Sequence, residues 1–130
     1  MILGVGVDLV QVHRMERSLQ SHWAERLKGR IFSSEEIEAC EAGPNSVQRY
    51  AARFAAKEAL AKALGTGFSR GVTPGGIVIS GGERERPRIT LKDKALDLAR
   101  SMNASTIHVS LSHTDESACA VVVVELGGHE

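Results

Sequence analysis

The chain has 130 residues, with 16 acidic and 16 basic side chains and a formal net charge of zero at neutral pH. That length suits one compact domain. The balanced charge excludes an overall field that would draw the protein to nucleic acid or to a membrane surface, and no apolar run approaches the roughly 20 residues needed to cross a bilayer. Hydrophobic residues make up 42% and aromatic residues only 4%, so the core has to be built from Val, Ile, Leu and Ala.

Residues 2–12 predict a strand, with Leu3, Val5, Val7 and Leu9 alternating on one face. Gly4, Gly6 and Asp8 share the other face with Ile2 and Val10. Glycine in a strand often marks the close approach of another backbone or a ligand, so Asp8 is expected over a surface kept clear by two glycines. The segment is no signal peptide, because it has no basic start and Asp8 interrupts it. A helix is expected from about His13 to Trp23, carrying Arg14 and Arg17, with Arg26, Lys28 and Arg30 just beyond it. Ser33-Ser34-Glu35-Glu36 reads as a capped helix start, Ser33 and Glu36 forming a capping box. That helix should stop near Gly43-Pro44.

The longest helix is expected from about Ser46 to Leu64, free of Gly and Pro, with Gly65 just past its end. Phe54, Glu58, Ala61 and Lys62 are neighbours on its surface, and Arg53 and Lys57 lie on an adjacent stripe. Residues 68–76 read as a loop, Ile77–Ile79 as a short strand, and Gly81-Gly82 as the start of a charged turn before a strand at Pro87–Leu91. Residues 92–102 form a helical pattern. Ile107, Val109 and Leu111 then alternate with polar residues, and the uniformly apolar run from Ala118 to Val124 is typical of a strand covered on both faces. The short turn at Thr114–Ser117 makes these last two strands an antiparallel hairpin. The fold class is therefore α+β, an antiparallel sheet with a long central helix and shorter helices packed on it.

Asp8 and Glu58 carry the most specific chemical suggestion. As ordinary acids, Asp8 ends a strand in solvent and Glu58 pairs with Lys62 one turn later, a contact worth only about 0.3–0.5 kcal/mol. As a pair, they suit Mg²⁺, which takes one or two carboxylates together with water and substrate phosphate. No Cys/His set supports zinc. Arg53, Lys57 and Lys62 are either phosphate contacts or solubilising charges. Gly65-Thr66-Gly67 is either a backbone N–H anion site or a helix cap and turn. It is not a Walker loop, because it follows a helix and lacks the Gly-Lys-Ser/Thr ending. His113, at the mouth of the hairpin, suits a phosphate contact, proton transfer or a turn hydrogen bond. Cys40 and Cys119 have no metal or redox spacing and read as reduced thiols of a cytoplasmic protein.

Four segments together resemble the bacterial holo-acyl-carrier-protein synthases, the short 4′-phosphopantetheinyl transferases. They are Gly4-Val5-Gly6-Val7-Asp8-Leu9, Phe32-Ser33-Ser34-Glu35-Glu36, Arg53-Phe54-Ala55-Ala56-Lys57-Glu58-Ala59 with Gly65-Thr66-Gly67, and His108-Val109-Ser110-Leu111-Ser112-His113-Thr114. They occur in the family's order and spacing over essentially the whole chain. The central helix motif is the most specific of the four. Ser33 replaces the more usual threonine and caps equally well.

The resemblance implies transfer of 4′-phosphopantetheine from coenzyme A to a serine of apo acyl carrier protein, with release of adenosine 3′,5′-bisphosphate, in support of fatty acid biosynthesis. It implies Mg²⁺, with Mn²⁺ as an alternative, held by Asp8 and Glu58. The serine proton is expected to leave through Glu58 acting by way of a water on the cation, with Asp8, Glu36 and His113 as alternatives. Arg53, Lys62, Gly65, Thr66, Gly67, Ser110, Ser112 and His113 are the expected coenzyme A contacts. Arg14, Arg17, Arg26 and Arg30 are the expected dock for an acidic carrier protein. The resemblance also implies a homotrimer with the active site between subunits. The rival from another class is a non-catalytic module that binds a nucleotide or an acidic protein and releases no adenosine bisphosphate. A transferase for secondary-metabolite carriers is disfavoured by length, since such chains are usually twice as long.

Overall fold

The computed structural model describes residues 1–82 and 85–127. Glu83 and Arg84, in the charged turn that begins at Gly81-Gly82, lie outside the described residues.

Two glycines set the central packing. In β1 (Ile2–Gln11) a Cβ built on Gly6 would lie 1.8 Å from the Ala59 carbonyl oxygen, and one on Gly4 would lie 2.0 Å from that of Ala63. Helix α4 (Ser46–Ala63) therefore lies on β1 backbone to backbone, and Ala55, Ala56, Ala59 and Ala63 are all buried in the main core. The surface beneath Asp8 is thus filled by a helix, as a close backbone approach requires.

The other helices are α1 (Val12–Leu19), α2 (Ala24–Ile31), α3 (Ser34–Glu41) and α5 (Asp93–Ser101). The first helix is shorter than the sequence pattern suggests, and α2 replaces the expected stretch beyond it. The break comes at Ser21, whose hydroxyl donates to the Ser18 carbonyl (2.7 Å) and accepts from the Trp23 N–H (3.2 Å). The side chain thus satisfies the backbone locally and competes with helix continuation. The expected capping box of α3 is present: Ser33 Oγ accepts from Glu36 N–H at 3.1 Å, and Glu36 Oε1 accepts from Ser33 N–H at 2.9 Å.

β2 (Ile77–Ser80) and β3 (Arg88–Leu91) form a two-stranded antiparallel sheet, preceded by a 3₁₀ turn at Pro74–Gly76. β4 (Ala104–His113) and β5 (Ser117–Leu126) form the expected hairpin, closed by Thr114 N–H to the Ser117 carbonyl at 2.8 Å. The main sheet has the order β1-β5-β4, all antiparallel. Its inner face presents Ala118, Ala120, Val122 and Val124 to α4, all fully buried.

The outer face differs from expectation. Val5 is 58% exposed, Val7 58%, Leu9 67% and Val121 41%, so β5 is covered on one face within this chain. The alternating apolar face of β1 points outward because its glycine face is the one α4 can approach. Leu3 escapes to the core through an irregularity between Ile2 and Gly4.

A buried ion pair joins α3, α4 and β2. Lys57 Nζ donates to Glu36 Oε1 at 2.9 Å, to the Pro74 carbonyl at 3.0 Å and to the Ile77 carbonyl. Glu36 Oε2 accepts from Ile79 N–H at 2.7 Å. Lys57 is wholly buried and Glu36 nearly so, so neither is free for ligand chemistry. That corrects Lys57 as a phosphate contact and Glu36 as an alternative base.

Candidate functional site

The contact between Gly6 and Ala59 also assembles the acid pair. Asp8 is two residues beyond Gly6 on the same face of β1, and Glu58 immediately precedes Ala59. The Asp8 side chain is 12% exposed, and its Oδ1 accepts from Lys62 Nζ at 2.9 Å. The same ammonium donates to the Val7 carbonyl at 3.1 Å. Asp8 Oδ2 is buried and no hydrogen bond to it is made among the described residues unless the Glu58 carboxyl is protonated, when the two acids hydrogen-bond each other.

Burial, then the hydrogen bond and negative charge of Asp8, push the Glu58 carboxyl up to about 7, with Lys62 and Arg14 acting the other way. The hydrogen bond to Asp8, reinforced by its charge, raises the Lys62 ammonium. Two carboxyl groups that share a site in this way disfavour each other's ionisation. They line an open cleft of about 870 Å³ together with Arg14, Arg17, Met15 and Phe54.

This donor set fits a hard divalent cation. It offers carboxylate oxygens alone, and a cation would relieve the repulsion that holds Glu58 near neutrality. Among the described residues no cluster of three or more His, Cys, Asp or Glu side chains is present. A two-carboxylate site leaves most of the shell to water and ligand oxygens, which is the habit of Mg²⁺.

Arg53 and His113 fall elsewhere. Arg53 is 4% exposed and donates from Nη2 to the Gly81 carbonyl at 3.1 Å, while its buried Nε has no partner among the described residues. With Arg49, Gly82, Ser112 and His113 it lines a second cleft of about 220 Å³. Arg53 and Glu58 are five positions apart, about 140° around α4 at roughly 100° per residue. The two clefts therefore lie on different flanks of the helix. His113 pairs with Ala118, which pairs with Val10, so its backbone is two strand spacings, roughly 10 Å, from β1. Ser110 points from the outer face of β4 and lines a third cleft with Arg86 and Arg88. The expected single site is thus divided in this chain between the Asp8–Glu58–Lys62 cluster and the Arg53–Ser112–His113 cluster.

The Gly65–Gly67 segment supplies no free amides. Gly65 N–H donates to the Lys62 carbonyl at 2.9 Å, and Thr66 and Gly67 N–H donate to that of Ala61 at 3.2 and 3.1 Å. Thr66 Oγ1 donates to the Gly67 carbonyl at 2.7 Å. This is a Schellman-type helix end, with Gly65 at φ +87° and Gly67 at φ +60°. It corrects the reading of these amides as an anion cradle.

Arg14, Arg17, Arg26 and Arg30 are all exposed. Arg14 and Arg17 border the larger cleft, and Arg26 stacks on Trp23 with its guanidinium 5.4 Å from the ring centre. Trp23, the only tryptophan, is 56% exposed. Arg49, Arg86 and Arg88 also line the two smaller clefts, and nothing in their local sequence marks them.

An acid pair fit for a hard cation, beside basic side chains and under one long helix, defines a site for a phosphate-bearing ligand. The family model of the 4′-phosphopantetheinyl transferase superfamily matches residues 4–122. The chain belongs to that superfamily. It is 42% identical over 125 residues to the holo-[acyl-carrier-protein] synthase of Koribacter versatilis, covering 96% of this chain and 99% of that protein. The crystal structure of the Neisseria meningitidis synthase superposes with a TM-score of 0.85 at 32% identity, covering 96% and 99% of the two chains. The Helicobacter pylori synthase, solved in complex with coenzyme A, superposes with a TM-score of 0.81 at 30% identity, covering 93% and 99%.

Proposed function

We propose that this protein transfers 4′-phosphopantetheine from coenzyme A to a serine of apo acyl carrier protein, in support of fatty acid biosynthesis, as a single-domain cytoplasmic enzyme. The observation that carries this reading is the acid pair: a nearly buried Asp8 carboxyl whose hydrogen bond and charge, with burial, push the facing Glu58 carboxyl up to about 7. Kinship with synthases of the same length supports the substrates. Among the described residues no helix is long and apolar enough to cross a membrane.

In the reaction the carrier serine oxygen attacks the phosphorus that bears the pantetheine arm. A new P–O bond forms, the P–O bond to the other phosphate breaks, and adenosine 3′,5′-bisphosphate departs. Asp8 and Glu58 hold the divalent cation, Mg²⁺ or Mn²⁺, which supplies neutralisation of the charge that builds on the diphosphate. Glu58 accepts the serine proton. Lys62, whose Nζ lies 2.9 Å from Asp8 Oδ1, brings an ammonium to the same cleft for the phosphate. Arg53, Ser112 and His113 form an anion subsite in the second cleft. Gly65–Gly67 act through backbone shape, turning the chain away so that Lys62 stands clear. Arg14, Arg17, Arg26 and Arg30 attract the acidic carrier.

The active assembly is a homotrimer whose sites lie between subunits. Two features support this. The outer sheet face carries an apolar strip of Val5, Val7, Leu9 and Val121 that a monomer leaves in water. The two ligand clusters also sit on different flanks of α4, so that one chain's cleft is completed by another's.

The test is to mix the protein, coenzyme A, Mg²⁺ and apo carrier and to weigh the carrier. A gain of one phosphopantetheine group is expected, abolished in Asp8→Asn and Glu58→Gln variants that retain the fold. Coenzyme A binding without release of adenosine bisphosphate would refute the proposal.

A further inference from the structure

The Lys62 ammonium occupies a position that the proposed chemistry needs for something else. It holds Asp8 Oδ1 at 2.9 Å and the Val7 carbonyl at 3.1 Å. Its side chain is 53% exposed, against 12% for Asp8, so the lysine can swing into solvent while the aspartate cannot follow. Lys57, one and a half turns earlier, shows the contrast: wholly buried and donating to three acceptors, it has nowhere to go.

We infer that Lys62 is an exchangeable counter-ion, occupying Asp8 until a divalent cation enters and then moving onto the phosphate of the incoming ligand. The inference rests on the reading of Asp8 and Glu58 as a cation site. Its physical basis is charge balance within one cluster. With both acids ionised, Asp8, Glu58 and Lys62 sum to one negative charge, and Lys62 is the cation in direct contact with Asp8. A divalent cation added to that set makes the sum positive, and the group that yields is the one held by exposed hydrogen bonds. The freed ammonium sits on a flexible stem at the lip of the cleft, where a diphosphate is its natural acceptor. Cation and phosphate ligand therefore reinforce each other through the lysine, beyond any contact they make directly.

The size of the effect follows from the occupancy. A site that is open only part of the time lowers apparent affinity by the open fraction, and a half-exposed pair sets that factor at up to about fivefold. The experiment is calorimetric titration of Mg²⁺ into the full-length protein, with and without saturating coenzyme A, for wild type, Lys62→Met, Arg14→Met and Asp8→Asn. Arg14→Met removes a positive charge that acts on Glu58 without touching Asp8. Lys62→Met is expected to bind Mg²⁺ tighter than wild type, by up to about fivefold, when coenzyme A is absent. The factor by which coenzyme A strengthens Mg²⁺ binding is expected to fall by a similar amount, while Arg14→Met leaves that factor unchanged. A coupling factor in Lys62→Met equal to that of wild type overturns the exchange. So does a gain in Mg²⁺ affinity no larger than that of Arg14→Met. Binding of Mg²⁺ that is indifferent to Asp8→Asn overturns the cation site itself and is distinguishable from either.

Discussion

Replacing Gly6 by alanine tests how the fold creates the site. The added methyl would stand 1.8 Å from the Ala59 carbonyl oxygen, 2.8 Å from its carbon and 3.0 Å from the Ala63 nitrogen. All three are helix backbone, so no side chain can rotate away. To reach even a 3.0 Å contact, α4 has to lift from β1 by roughly 1.2 Å, and overpacking of this kind costs about 1–3 kcal/mol. The upper end is expected because the obstacle is rigid. The same lift separates Glu58 from Asp8, and a misplacement of about 1 Å can reduce turnover about 100-fold. Urea unfolding at constant m-value measures the first effect, and carrier phosphopantetheinylation measures the second. Gly29 is the control: within α2, a Cβ there meets nothing within 4 Å, so Gly29→Ala should stabilise by about 0.5–1 kcal/mol. Gly65 is intermediate, because its φ of +87° makes Gly65→Ala cost about 1–2 kcal/mol through conformation alone. If Gly6→Ala unfolded within about 0.5 kcal/mol of wild type, inside the usual range for a surface substitution, the backbone contact would not govern the packing.

Lys57→Met should destabilise by about 3–5 kcal/mol, because it strands Glu36 as a buried charge, and the double variant Lys57→Met/Glu36→Leu should recover much of that loss in the same unfolding assay. In metal-free protein the native state keeps the Glu58 proton between the ordinary 4.5 and about 7, while the unfolded chain releases it. The Glu58 contribution to stability is therefore full below that window and lost as pH rises through it; thermal unfolding across the window should show a decline that Glu58→Gln removes. Below pH about 7 one proton must also leave before a cation binds, so Mg²⁺ affinity should fall about tenfold per pH unit, read by calorimetry. Arg14→Glu should raise KM for the carrier protein far more than KM for coenzyme A, and equal changes would separate this basic edge from docking.

The legible parts of the sequence were those where local pattern and tertiary outcome agree. The α4 boundaries, the Ser33–Glu36 capping box and the closing hairpin are written in short-range chemistry, and all appear as expected. The acids were legible as candidates because charge amid glycine and alanine is costly. What failed was direction. Leu3, Val5, Val7 and Leu9 read as one alternating apolar face without a direction, and because the glycine face is the one a helix can reach, three of those four side chains point outward. Lys57 looked like its neighbour Lys62, but 3.6-residue periodicity turns one into the core and leaves the other at the cleft. The separation of Arg53 from Glu58 follows helix periodicity, whereas that of His113 depends on the strand order β1-β5-β4, a long-range fact with no short-range sign.

The most direct test of the central claim is anomalous diffraction from crystals soaked in Mn²⁺. One peak within ligand distance of carboxylate oxygens of both Asp8 and Glu58 is expected. A protein that transfers phosphopantetheine while its Mn²⁺ lies elsewhere, or touches neither acid, would contradict it.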